Sequence, residues 1–214
     1  TGRKVAEACI ASSPMKKVQL EMGGKNPLVV LDGTSALDLG TAEAQAAWLD
    51  RTLADNPHRW SIALVHQPMY SPRQDRENRL LREHVLPVLE RRRVDLVLQG
   101  HDHVYGRRGG EDARRDTPQY LVSVVGAKQY RLGAQARQDM DPTAEDTQLF
   151  QVIRIADGRL RYESRTATGR LYDAFELDGK PGARTLREIT EGRIAPRDCP
   201  RDATLTGRAD RCWE

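Results

Sequence analysis

Long apolar runs are missing from this sequence. The best, Leu28–Leu31 and Ile62–Val65, fall far short of the roughly 18 residues that span a bilayer as a helix, so no membrane partner is expected. Aromatic residues are few, 5% of the chain with 2 Phe. An excess of one charge is missing too: 34 Lys+Arg stand against 31 Asp+Glu, a net +3. The densest basic cluster, Arg91-Arg92-Arg93, sits at an expected helix end, where cations suit the dipole. No recognition motif accompanies the charge, so specific nucleic-acid binding is not expected. Yet 38% of the residues are hydrophobic, too many for a wholly disordered chain. What remains is a globular α/β protein whose 214 residues make one or two domains.

Cysteine is scarce, with 3 in the chain. Cys9 falls in a helical pattern and reads as a small buried hydrophobe. Cys199 and Cys212, in the tail, could close a 14-residue loop. They are either a disulfide, which implies an oxidising compartment, or two free thiols. The chain opens on Thr1 inside a helical pattern rather than on a leader, which reads as a processed or incomplete chain.

Periodicity predicts a helix over residues 1–13, with Val5, Ala8 and Cys9 on one face. Residues 17–22 alternate like a strand, and Leu28–Leu31 reads as a buried one. Thr41 caps an expected helix through Ala44, Trp48, Leu49 and Leu53, closed by Asn56-Pro57. Residues 60–66 form a buried strand. Glu77–Arg93 forms a long helix with Leu80, Leu81, Val85, Val88 and Leu89 inward and a kink at Pro87. Val94–Leu98 is the next strand, and the alternation marks an α/β fold. Strands over 120–125, 148–155, 159–165 and 171–177 follow without helices, the middle pair joined at Asp157-Gly158 as a hairpin. Residues 179–214 read as an irregular tail with a short helix near Thr185–Glu191.

Three of the 5 His residues are placed for metal. His66 directly follows one apolar strand. His101 and His103 follow another, in Gly100-His101-Asp102-His103. Ligands in open α/β sheets gather beyond the carboxyl ends of the strands, so these imidazoles aim at one crevice. Both His101 and His103 face it only if the backbone turns, which Gly100 permits. Asp102 supports the loop. His58 and His84 read as solvated or capping residues.

These residues carry a resemblance. Val65-His66-Gln67-Pro68-Met69-Tyr70-Ser71, and Val94 to Tyr105 with its Gly100-His101-Asp102-His103, resemble the last two metal motifs of the calcineurin-like metallophosphoesterases. The Tyr105 position and Gln45-x-x-Trp48-Leu49 lean toward the purple acid phosphatase-like branch. The resemblance implies a partial metallophosphoesterase-type α/β sandwich with a C-terminal β meander over residues 33–178. It implies phosphate ester hydrolysis by a two-metal hydroxide mechanism, with zinc, iron or manganese as the ion. His66 and His101 would ligate one metal and His103 the other. Arg73, Arg76 and Arg107 are candidate phosphate contacts. The family branch and the tail cysteines lean toward a secreted or periplasmic protein.

The family's earlier motifs, Asp-x-His, Gly-Asp and Gly-Asn-His, are missing. The chain has no Gly-Asp and no Asn-His, and no Asp-x-His upstream of His66. One metal or none is therefore expected instead of two. In place of those motifs, residues 1–31 resemble the aldehyde dehydrogenases: Thr1-Gly2-Arg3-Lys4-Val5-Ala6-Glu7-Ala8, then Leu20-Glu21-Met22-Gly23-Gly24-Lys25-Asn26-Pro27. Glu21 matches that family's general base. No Cys lies between Cys9 and Cys199 to serve as the nucleophile Glu21 would activate, so Glu21 is vestigial. The expectation is a junction near Val29–Gly33 between an aldehyde dehydrogenase-like fragment (1–32) and half a phosphoesterase domain. The readings are a phosphoesterase, a non-catalytic His-lined metal-binding remnant and, last, an NAD(P)-dependent aldehyde dehydrogenase. With half the core replaced, Leu64, Val97 and Val124 are expected to be partly uncovered, favouring self-association.

Overall fold

The computed structural model describes residues 28–31, 41–73, 76–109, 118–123 and 128–195. The side chains of 28–31, the helix and strand expected over 1–22, Glu21, Val124 and all three cysteines lie outside the described residues.

Four short apolar segments build a parallel core. β1 (Leu28–Leu31), β2 (Ile62–Val65), β3 (Leu96–Gln99) and β5 (Gln119–Val122) pair in parallel in that order. Their continuous apolar sequences suit strands covered on both faces. β4 (Tyr105–Arg108) and β6 (Thr143–Ala144) add antiparallel, completing a six-stranded sheet of order β1-β2-β3-β5-β4-β6. β7 (Leu149–Ala156), β8 (Arg159–Thr166), β9 (Leu171–Lys180) and β10 (Ala183–Glu188) form a second, antiparallel sheet. The hairpin at Asp157-Gly158 is present, both residues at positive φ, 50° and 74°, as a tight two-residue turn requires.

The helices cover one face of the first sheet. In α1 (Ala42–Ala54), the Thr41 side chain accepts from the Ala44 N–H at 3.2 Å, satisfying one of the free amides of the first turn. Leu49 and Leu53 are buried. The expected helix over 77–93 is interrupted: a π turn (Leu81–Val85) leads into α2 (Leu86–Arg91), with Pro87 in its first turn. Proline has no N–H to donate to the carbonyl four residues back, and the wider turn absorbs that gap. Leu81, Val85, Val88 and Leu89 face inward as expected, but Leu80 is 62% exposed. It sits about 100° around the helix from Leu81 and misses the buried stripe.

These helices pack Leu49, Val85 and Leu89 against Ala63, Val65, Val97 and Tyr120. The opposite face of the sheet meets the second sheet through Trp60, Leu96, Leu121, Leu160, Tyr162 and Phe175. The order is therefore helices, mixed sheet, antiparallel sheet. The expectation of an uncovered Val97 is corrected: the helices bury it fully, and Leu64 is half-buried. The short helix expected near Thr185–Glu191 is instead strand β10. Its period is two, with Arg184 buried between exposed Ala183 and Thr185, and the edge of β9 supplies the ladder it needs.

A buried ion pair bolts the layers. Arg184 of β10 donates to Asp95, just before β3, at 2.7 Å, both side chains under 5% exposed. Asp95 also accepts from the Ser61 N–H at 2.8 Å, and the Arg184 guanidinium lies 3.6 Å over the Trp60 ring. Burial pushes the Asp95 carboxyl up, with Arg184 and Ser61 pulling it back. Arg184→Ala would strand a buried carboxylate, so it should cost about 3–5 kcal/mol in urea denaturation.

A second tie is exposed. Asp50 of α1 accepts from Arg92 at 2.6 Å and Arg91 at 2.9 Å. These two hydrogen bonds, Arg92's first, hold its carboxyl at about 2, below the ordinary 3.8. A lowered carboxylate stabilises above its unfolded pKa and loses that contribution as pH falls through the folded one. The helix tie should therefore weaken between pH values of about 4 and about 2. Asp50→Asn should flatten that part of the acid-unfolding profile.

Candidate metal centre

β2 and β3 are parallel neighbours with Val65 opposite Gln99, so His66 and Gly100 leave the sheet at the same edge. The Gly100 N–H donates to the His66 carbonyl at 3.1 Å, continuing the pairing one step beyond the strands. The turn expected of Gly100 is made by His101 itself, at φ 62°. Left-handed backbone is uncommon for a residue with a Cβ and clusters at functional sites. It turns the His101 ring toward His66: Nε2 of His66 lies 2.9 Å from Nδ1 of His101, the rings nearly perpendicular at 81°.

That spacing fits a shared ion. Two imidazole nitrogens each about 2.1 Å from one metal stand about 3.0 Å apart at an octahedral right angle and about 3.4 Å apart at the tetrahedral angle of zinc, so a small opening of the pair suits either. His101 is held below the ordinary histidine pKa by burial first, then by the positive charge of Arg76 and by His66. This favours the neutral ring that a ligand must be.

His103 stands apart from that pair. Its Nδ1 lies 2.8 Å from the Lys128 carbonyl. Donation there leaves Nε2 as the ring's lone-pair nitrogen, the arrangement common to ligating histidines. Its ring is 4.9 Å from that of Tyr130. Among the described residues no group of three or more His, Cys, Asp or Glu is gathered as a metal site. The structure thus brings together two of the three expected imidazoles.

Asp102 supports the loop as expected. It is fully buried, accepts from the Ser71 hydroxyl and lies 2.8 Å from Arg76 Nε. Arg76 is thereby held beside the histidines, and the Arg73 guanidinium lies 4.4 Å over Tyr130. Arg107 requires correction. It faces the second sheet and is buried, pairing with Asp173 and Glu188 at 2.8 Å each. Strand parity explains this: Tyr105 and Arg107 share one face of β4, and both bond Asp173. Tyr130 and Lys128 join this edge without belonging to either histidine motif. Their signal was a basic and aromatic cluster beyond β5, another strand whose carboxyl end lies at this edge.

The fold that positions this edge is similar to that of solved purple acid phosphatases. It matches a purple acid phosphatase from yellow lupin at TM-score 0.59 and 17% identity, over 78% of this chain and 35% of that one. It also matches GAP50 of Plasmodium, described as the anchor in the inner membrane complex, at TM-score 0.59 and 18% identity, over 72% of this chain and 50% of that one. The calcineurin-like phosphoesterase family model matches residues 4–105. Among curated proteins, purple acid phosphatase 17 of Arabidopsis thaliana is 29% identical over 129 residues, 59% of this chain and 36% of that protein. Purple acid phosphatase 3 of the same plant is 29% identical over 85 residues, 40% of this chain and 22% of that protein. The chain thus spans about a third or less of these curated relatives.

The family match begins at residue 4 and runs through the segment that resembles an aldehyde dehydrogenase. It gives that resemblance, and the junction built on it, no support. β1, which crosses the expected junction, is an ordinary parallel member of the sheet.

Asp102 acts through the loop it anchors. Asp102→Ala should release Ser71 and Arg76 and weaken zinc binding about 10- to 100-fold. Competition with a chromophoric chelator measures this, and circular dichroism checks that the fold persists.

Proposed function

We propose that this chain is the histidine-bearing part of a metal-dependent phosphoesterase that hydrolyses phosphate esters, phosphomonoesters before diesters. The observation that carries the reading is the 2.9 Å approach of the His66 and His101 nitrogens at a shared strand edge, in a fold shared with purple acid phosphatases. In this reading His66 and His101 hold one ion, and His103, oriented by the Lys128 carbonyl, faces a second position. A zinc, iron or manganese ion bound there would act as a Lewis acid on the phosphoryl group and activate the attacking water. Arg76 and Arg73 bring positive charge to the same edge, where they bind and orient the phosphate. Asp102 is buried and committed to Ser71 and Arg76, so it holds the loop and moves no proton. Export to the periplasm or the cell exterior accompanies this reading.

A second reading is a non-catalytic metal-binding remnant. It is favoured by the pair of imidazoles in place of a larger cluster among the described residues. The two separate on one experiment: metal content of the purified chain beside hydrolysis of p-nitrophenyl phosphate with zinc, manganese or iron. A His101→Ala/His103→Ala variant is the control. The phosphoesterase reading expects bound metal and turnover, both lost in the control. Bound metal without turnover above the control would decide for the remnant, and no bound metal would remove both readings.

A further inference from the structure

A second cleft of about 660 Å³ opens beside the histidine loop. Ser71, Arg73 and Arg76 form the wall it shares with that loop. Through that wall Arg76 reaches Asp102 at 2.8 Å, and Arg73 stacks on Tyr130, the ring beside His103. Arg108, at the end of β4, lines the same cleft. Two residues before Arg108 the strand packs tightly: a Cβ at Gly106 would lie 2.5 Å from the Met140 sulfur and 3.2 Å from Pro72.

Arg108 is the feature the metal centre leaves unused. Its guanidinium lies 3.9 Å over the buried ring of Tyr70, with Arg82 5.3 Å from the same ring. Stacking fixes a guanidinium plane while leaving its edge donors for an anion. Neither Arg108 nor Arg73 pairs with a carboxylate among the described residues; Arg108 donates only to the Gly109 carbonyl, at 3.1 Å. Among the described residues the cleft also holds two carboxylates. Glu77 stands 3.9 Å from Arg82, and Asp139 accepts from Gln135. Four guanidinium groups face those two and the Asp102 carboxylate that Arg76 already pairs with, which leaves an excess of positive charge among the described residues.

We propose that this cleft binds a second phosphate, carried on the leaving group of the ester, so that the site selects bisphosphorylated over monophosphorylated substrates. The proposal rests on the phosphoesterase reading for the position of the first phosphate, at the histidine edge. A leaving group that runs from that edge along Arg73 meets Arg108. Arginine forks bind phosphate with paired, charge-assisted hydrogen bonds.

The test is calorimetric titration of the zinc-loaded chain with fructose 6-phosphate and fructose 1,6-bisphosphate, probes that differ by one phosphate. The bisphosphate should bind at least tenfold more tightly. Arg108→Ala should cut that advantage to within twofold, Arg108→Lys should restore part of it, and Arg159→Ala, on the exposed far hairpin, should leave it intact. An equal affinity of the wild type for both probes would overturn the proposal. So would an advantage that survives in an Arg108→Ala chain with native circular dichroism. If Arg108→Ala does not fold, Arg108→Gln carries the same comparison. A parallel titration in chelator keeps the two readings apart. There Arg108→Ala should still weaken bisphosphate binding at least fivefold, even if the wild type with zinc fails to hydrolyse p-nitrophenyl phosphate. An unchanged affinity in chelator would overturn the cleft on its own.

Discussion

Everything at the histidine edge depends on the parallel pairing of β2 with β3. The register puts Val65 opposite Gln99, and the Gly100 N–H carries the pairing on to the His66 carbonyl. A slip of one residue would displace one histidine by about 3.3 Å along the strand and turn its strand's side chains to the opposite face. The 2.9 Å separation of the imidazole nitrogens exists only in this register. The left-handed backbone of His101 completes it, a local conformation maintained by the surrounding loop contacts.

The register is held from the opposite end of the strands. Asp95 stands just ahead of β3, accepts from the backbone of Ser61 just ahead of β2, and pairs with Arg184 of the second sheet. One buried carboxylate thus ties three strands from two sheets. Arg107 and Arg193 converge on Asp173 in the same way, joining β4 to β9 and the chain beyond β10. Buried pairs of this kind add little net stability compared with apolar side chains of equal volume, yet breaking one is costly. Their consequence is geometric: a displaced sheet would leave these charges unpaired. The apolar layer around Trp60, Leu96 and Phe175 supplies the burial, and the ion pairs select which packing of it forms.

Much of this architecture is legible in short windows. The apolar tetrads of β1 and β2, the Thr41 cap, the Asp157-Gly158 turn and the meander all follow from local pattern. So does the placement of His66 and His101 just past buried strands. The errors share one cause. The local pattern of Thr185–Glu191 suggests a short helix, because nothing nearby in sequence announces that the edge of β9 is waiting for a partner. Arg107 reads locally as a candidate phosphate contact. Which face of β4 it occupies depends on a second sheet more than forty residues away in sequence. Leu80 and Leu81 are equally apolar, and only the docking of the π turn on α1 and the sheet decides which is buried.

The sequence by itself determined the α/β class, the strand and helix segments, and the arrival of imidazoles at the carboxyl ends of two strands. Those properties follow from periodicity and capping, which act over a few residues. Tertiary structure alone decided that His101, not Gly100, makes the turn, that His66 and His101 meet while His103 orients on Lys128, and that Arg107 belongs to the core. It also decided that Arg73, Arg76 and Arg108 line one cleft. Each of these is set by contacts between segments far apart in the chain, where register and face are chosen jointly by the packed layers.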